Sequence, residues 1–281
     1  MSLLGFCIYY IWYWEYRPHG LEAYFFTEDG GVGSPPVSTF FRTSTGKTIL
    51  VDGGKTSQIV RKISSVMPFY RKDIDVIVIT NPDDAHVTGL VDVVKRYHVK
   101  KIIEPYGVVS TSSSYLELKR VSSEKGLQLE EVKTGDMFNM SMIAKVFFPD
   151  QSFQFSKTNP PRLVFSLGDA SSSTSFLFAA DISKSEQKYI AGKFSLTDFF
   201  ASNIAATNRI LVFPHAANAG ALRDDFLTLI KPTTIIYSRK SKVKKGGEGL
   251  FATSSASAVN LADFGDTAFS FNGNYLIKSS L

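Results

Sequence analysis

Two periods of apolar residues take turns along this chain. Short β-branched and aromatic runs read as strands, and i, i+3, i+4 spacings read as helices. Leu21 to Phe26 is the first expected strand. Thr39 to Arg42 and Thr48 to Val51 flank Thr45-Gly46-Lys47, a hairpin signal, and Asp52-Gly53-Gly54 closes the second of them. Gln58 to Met67 has helical spacing and stops before Pro68. Asp75 to Thr80 is an apolar strand that ends abruptly in polar residues, and Thr88 to Tyr97 is an amphipathic helix. A strand at Lys101 to Glu104 and a helix at Thr111 to Lys125 follow, the helix with Ser/Thr residues at its start and Gly126 at its stop.

The second half repeats the alternation. Strands are expected at Leu129 to Val132, Ser141 to Phe148, Arg162 to Leu167, Ser175 to Ala180, Arg209 to Phe213 and Thr234 to Tyr237. Helices are expected at Lys184 to Ala191 and Arg223 to Ile230. A final hairpin, Thr267 to Phe271 with Tyr275 to Ile277, turns at Asn272-Gly273. Alternating strands and helices with hairpins at the ends predict two sheets covered by helices, an α/β domain over residues 21–281.

Residues 1–20 break the pattern. Leu3 to Trp14 carries no charge and holds both tryptophans, and Arg17-Pro18-His19-Gly20 reads as a linker. The run is shorter than the roughly 17–25 residues a membrane span needs, and it lacks the basic region and cleavage site of a signal peptide. Two readings stay open: an interfacial membrane anchor through residues 3–14, or a hydrophobic extension packed on the domain. The first implies a membrane-associated protein, extracytoplasmic or not, and the second a cytoplasmic one.

Composition narrows the field modestly. The chain has 281 residues, and 44 % of them are hydrophobic, which excludes a disordered chain. The single cysteine, Cys7, excludes an intrachain disulfide and any Cys-rich metal site. A net charge of +5 is a mild excess. Its densest run, Arg239, Lys240, Lys242, Lys244 and Lys245, is either a solvated loop or a contact for nucleic acid or an anionic surface. Gly30 to Gly33 is not followed by the Lys-Ser/Thr of a phosphate loop, and Ser171 to Ser175 lacks a nucleophile elbow. His19 and His98 read as surface histidines.

Five landmarks carry a resemblance: Ile49–Gly54, Ile79–Leu90, Phe176–Ile182, Val212–Ala217 and Pro232–Ser238. In this order they resemble the metallo-β-lactamase-fold domain at the C-terminus of bacterial ComEC-type competence DNA-uptake proteins. The resemblance implies a four-layer αββα sandwich with its site at one edge of both sheets. It also implies one or two metal ions that lower the pKa of a bound water to make a hydroxide nucleophile.

Matched position by position, the implied ligand set is incomplete. Asp83, His86, Asp181 and His215 keep a metal-binding side chain. Asn81 stands at a histidine position and Ala85 at an aspartate position, and Asp84 lies one residue out of register. Ala180, Ala216 and Ala217 replace a glycine and the remainder of a His-His-Gly triplet. The family's opening acidic loop is unrecognisable in Thr27 to Gly33, and its late Gly-His-Pro segment is missing around Lys240 to Gly247. One implied reading is a catalytically degenerate binding or accessory module with no cofactor. The alternative is a hydrolase of phosphodiesters or nucleic acid that holds one zinc or manganese ion on His86, Asp181 and His215.

Overall fold

The computed structural model describes residues 5, 20–28, 37–110, 112–139, 141–156, 159–168, 173–179, 181–199, 207–215, 222–238, 255–272 and 275–280; for residues 214, 215, 272 and 275–280 it describes the backbone alone. The basic run at 239–245 and nearly all of the N-terminal segment therefore lie outside the described residues. Among the described residues, no helix is long and apolar enough to cross a membrane.

The first sheet takes its strands from both ends of the chain. These are β1 (Leu21–Thr27), β2 (Val37–Arg42), β3 (Thr48–Val51), β4 (Asp73–Val78), β5 (His98–Pro105), β6 (Leu129–Val132), β14 (Thr267–Asn272) and β15 (Tyr275–Ser280). Their order is β15-β14-β1-β2-β3-β4-β5-β6. The second sheet runs β13-β12-β11-β10-β9-β8-β7. Its strands are β7 (Met137–Asn139), β8 (Ile143–Phe148), β9 (Val164–Gly168), β10 (Thr174–Ala179), β11 (Asn208–His215), β12 (Thr234–Ser238) and β13 (Ser257–Asn260).

Strand alternation sorts the apolar side chains into three layers. Phe41, Val51 and Val78 of the first sheet meet Phe165, Phe176, Phe178 and Val212 of the second in the central core. The rings of Phe41 and Phe176 pack edge to face at 5.0 Å. Phe40, Leu50 and Ile77 point the other way, under α1 (Gln58–Val66), α2 (Asp84–Arg96) and α3 (Ser113–Glu124). On the far side, Leu177, Leu211 and Ile235 lie under α4 (Lys184–Lys193), α5 (Leu196–Phe199) and α6 (Asp224–Ile230). Helix, sheet, sheet, helix is the four-layer αββα sandwich, and the chain has the α/β architecture its landmarks imply.

Most elements match the sequence pattern to within a few residues; a few differ for physical reasons. Helix α2 begins at Asp84 rather than Thr88, because Asp83 takes the N-cap position and its carbonyl accepts from His86 N at 2.9 Å and Val87 N at 3.1 Å. The segment 84–87 is thus the helix's first turn and not a loop. Strand β5 extends back to His98, since β4 offers a ladder from Asp73 onward. The short β7, β13, α5 and α7 (Leu261–Phe264) are too brief to show a period in sequence.

Candidate functional site

Parallel strands set the site. The C-terminal ends of β3 and β4 in one sheet and of β10 and β11 in the other reach the same edge of the sandwich. Leu163 N donates to Thr80 O at 2.7 Å and joins the two sheets there. The β3 and β10 ends are each followed by an aspartate, Asp52 and Asp181.

Asp52 follows β3 with φ 59°, and Asp181 follows β10 with φ 51°. Both backbones are left-handed, a conformation that aspartate adopts more readily than most non-glycine residues. Strained backbone of this kind concentrates at functional sites. The Asp52 turn is also crowded. A Cβ on Gly89 of α2 would lie 2.0 Å from Gly53 O and 2.6 Å from Thr56 O, so only glycine lets this helix approach. Gly53 N donates to His86 O at 2.7 Å, and Gly89 N donates to Gly54 O at 3.1 Å.

That approach places His86 between the two carboxylates. Its Nδ1 is 2.9 Å from Asp52 Oδ2, and its Nε2 is 3.2 Å from Asp181 Oδ2. Thr80 donates to both Asp52 oxygens, from its backbone N to Oδ1 at 2.8 Å and from its hydroxyl to Oδ2. His86 is 1 % exposed and Asp52 2 %. Burial alone would push the imidazole down, but the charges and hydrogen bonds of Asp52 and Asp181 outweigh it and raise the pKa to about 10. Both carboxylates thus favour the protonated ring, a cation that can donate from each nitrogen.

The remaining candidates are spread around this centre. Asn81 is buried; its Nδ2 reaches Asp181 Oδ2 only at 3.5 Å, and its Oδ1 has no hydrogen-bond partner. Ala85 presents only a methyl group beside His86. Asp83 is exposed at the helix start. Asp84 turns to the neighbouring helix, where Ser112 donates to its carboxylate; hydrogen bonds from Ser112 and Ser114 hold its pKa down. The backbone of His215 lies three residues beyond Val212, which pairs with Phe178, itself three residues before Asp181. The two strand ends thus reach the same edge, although the His215 side chain lies outside the described residues. His98 is exposed and bonded to Asp73 at 3.0 Å on the opposite edge. Asp52 is the residue of this cluster that motif matching missed; its signal was an aspartate ending an apolar strand before two glycines.

The donor set does not fit a two-ion centre. Asn81 offers a carboxamide where an imidazole is needed, Ala85 offers nothing, and both ring nitrogens of His86 face carboxylates. Among the described residues no three His, Cys, Asp or Glu side chains gather as an ion's ligand set.

No protein-family model matches the chain. Over 168 residues it is 24 % identical to ComE operon protein 3 of Bacillus subtilis (strain 168), covering 59 % of this chain and 20 % of that protein. The match therefore spans about a fifth of that relative's length. The chain is also similar to solved structures. One is MEM-A1, a subclass B3 metallo-β-lactamase isolated from a soil metagenome library, at 11 % identity, with 73 % of this chain and 82 % of that one covered and a TM-score of 0.44. Another is a diphosphatase from the PhnP family, at 11 % identity, with 77 % and 86 % covered and a TM-score of 0.43. A third, the Rm3 metallo-β-lactamase, gives 16 % identity, 79 % and 76 % covered and a TM-score of 0.41.

Proposed function

We propose that this chain is a catalytically degenerate metallo-β-lactamase-fold domain, a membrane-associated binding or accessory module akin to part of a competence protein. One observation carries the reading: the imidazole of His86 is held at both nitrogens, by Asp52 at 2.9 Å and Asp181 at 3.2 Å. Asp52 comes from the first sheet and Asp181 from the second, so the ring joins the two halves of the sandwich. The nitrogen a metal would take, Nε2, is already turned to the Asp181 carboxylate, and Nδ1 to Asp52. With Ala85 and Asn81 at two further ligand positions, a bridging hydroxide has no pair of ions to form on. The 24 % identity to ComE operon protein 3 supports kinship with competence proteins.

A second reading has its own observation. Two ligands sharing one tetrahedral ion at bond lengths near 2.0 Å stand about 3.3 Å apart. The Nε2–Oδ2 separation of 3.2 Å is close to that, and the partnerless Oδ1 of Asn81 lies in the same cluster. This favours a mononuclear hydrolase, with His86, Asp181 and His215 as the ligands.

Activity measurements separate the two. The unmodified chain, assayed on a phosphodiester with zinc or manganese added, should show no turnover above the metal alone. The double variant Asn81→His with Ala85→Asp should gain metal affinity. Turnover by the unmodified chain that His215→Ala abolishes would replace the first reading with the second.

A further inference from the structure

The edge opposite the site gathers a different set of side chains. The N-terminal ends of the parallel strands β3, β4 and β5 meet there. Asp75 near the start of β4 is buried, and three cations converge on its one carboxylate. Lys100 Nζ stands at 2.8 Å, Lys47 Nζ at 3.2 Å and an Arg71 guanidinium nitrogen at 3.2 Å. Lys72, next to Arg71, is exposed. Against these four cations stand Asp75 and Asp73, and Asp73 is already engaged by His98. The edge therefore keeps a surplus of positive charge. The Lys47 and Lys100 side chains are about half exposed, so this surplus faces solvent.

An aromatic pair projects from the same edge. After α1, Arg71 N donates to Pro68 O at 2.9 Å and closes a tight turn whose tip is Phe69-Tyr70. Phe69 is 84 % exposed and Tyr70 47 %. Their rings meet edge to face at 5.5 Å and 84°. One of the largest apolar side chains thus stands in water at a turn tip, with Arg71 and Lys72 two and three residues further on.

We propose that this edge, formed by Phe69, Tyr70, Arg71, Lys72, Lys47 and Lys100, docks on an anionic lipid surface. Phe69 enters the interfacial layer, Tyr70 keeps its hydroxyl at headgroup level, and the cations meet lipid phosphates. Charge complementarity selects an acidic surface, because the carboxylate that three of the cations share cannot neutralise them all. The ring geometry selects lipid over single-stranded nucleic acid. Stacking bases need open aromatic faces along a groove, whereas here one ring turns its edge to the face of the other at the tip of a turn. Docked this way, the molecule carries the Asp52–His86–Asp181 edge facing away from the lipid.

Vesicle co-sedimentation of the full chain tests the proposal. Vesicles of phosphatidylcholine alone are compared with equal parts phosphatidylcholine and phosphatidylglycerol. The full chain should bind the anionic vesicles and lose that binding as salt rises. Lys47→Gln with Lys72→Gln should weaken it about thirty-fold, and Phe69→Ser about tenfold. A second readout does not depend on comparing affinities. With Trp12→Phe and Trp14→Phe as background, the emission of Phe69→Trp should move to the blue on anionic vesicles. An unmoved emission overturns the proposal, as does unchanged binding by both variants. Variants that weaken binding of a single-stranded oligonucleotide and leave vesicle binding intact would assign the edge to nucleic acid and overturn it too.

Discussion

The two ends of the parallel strands solve opposite electrostatic problems. At the C-terminal end one cation, His86, sits between two carboxylates, nearly dry at 1 % exposure. At the N-terminal end one carboxylate, Asp75, sits among three cations, two of them half in water. The difference teaches where the chain has fixed its geometry. A buried ion without its partner is costly, so the His86 cluster tolerates little change, whereas water compensates much of what the Asp75 cluster loses. The dry end is built of left-handed aspartates and a glycine-only helix contact. The wet end is built of long, partly exposed side chains.

Removing one partner from each end is the strongest way to break that comparison. Asp52→Ala takes the carboxylate from Nδ1 of a buried imidazole and from two Thr80 donors and should cost about 3–5 kcal/mol in urea unfolding. Asp75→Ala leaves cations that can turn to water and one buried donor, Thr48 N, without its acceptor, and should cost about 1–3 kcal/mol. Equal losses would mean that the two ends are not different in kind. Gly89→Ala tests the backbone that holds the dry end. Its methyl group would meet two backbone oxygens within 2.6 Å, so α2 must shift, at about 1–3 kcal/mol. A neutral Gly89→Ala would show that the helix approach is not what positions His86.

The pH dependence of stability sharpens the same contrast, because the signs are opposite. For Asp75, burial acts to raise the carboxyl, but the hydrogen bonds of Lys100, Thr48 N and Lys47 with the Lys100 charge lower it to about 2 from 3.8. A depressed carboxyl contributes stability that is present above its ordinary value and lost as pH falls through about 2. For His86 the pKa is raised to about 10 from 6.5. That contribution is complete below about 6.5 and lost as pH rises through about 10. Unfolding free energy measured against pH should have a shallower acid limb in Asp75→Asn and a shallower alkaline limb in Asp52→Asn, each relative to the unmodified chain. The smallest effect belongs to the rim of the site. Ser112 caps α3 by accepting from Tyr115 N at 3.3 Å and donates to Asp84, so Ser112→Ala should cost about 1 kcal/mol. It should leave the alkaline limb in place, since Asp84 is not part of the His86 cluster.

Much of this was legible in the residues. Long apolar strands such as Asp73–Val78 and amphipathic helices such as Gln58–Val66 announce themselves by period. The landmarks named the strand ends that meet at the site. The start of α2 was not legible, because Asn81-Pro82-Asp83 reads as a turn and Asp83, at the N-cap position, makes no side-chain cap bond. Nor was the role of Asp52, whose partner lies 34 residues away in sequence and comes within reach only through the close packing of Gly53 on Gly89. Motif matching finds ligands by position, and so passed over a carboxylate whose importance is the side chain it holds. The Asp75 cluster escaped for a similar reason: Lys47, Arg71 and Lys100 are scattered in sequence and converge only when β3, β4 and β5 lie side by side.

The proposed function turns on whether the two carboxylates that hold His86 stand in place of a metal centre. Elemental analysis of the full chain, purified without chelator, tests it most directly. The account predicts zinc, manganese and iron each far below one ion per chain. One or two firmly held ions per chain would contradict it.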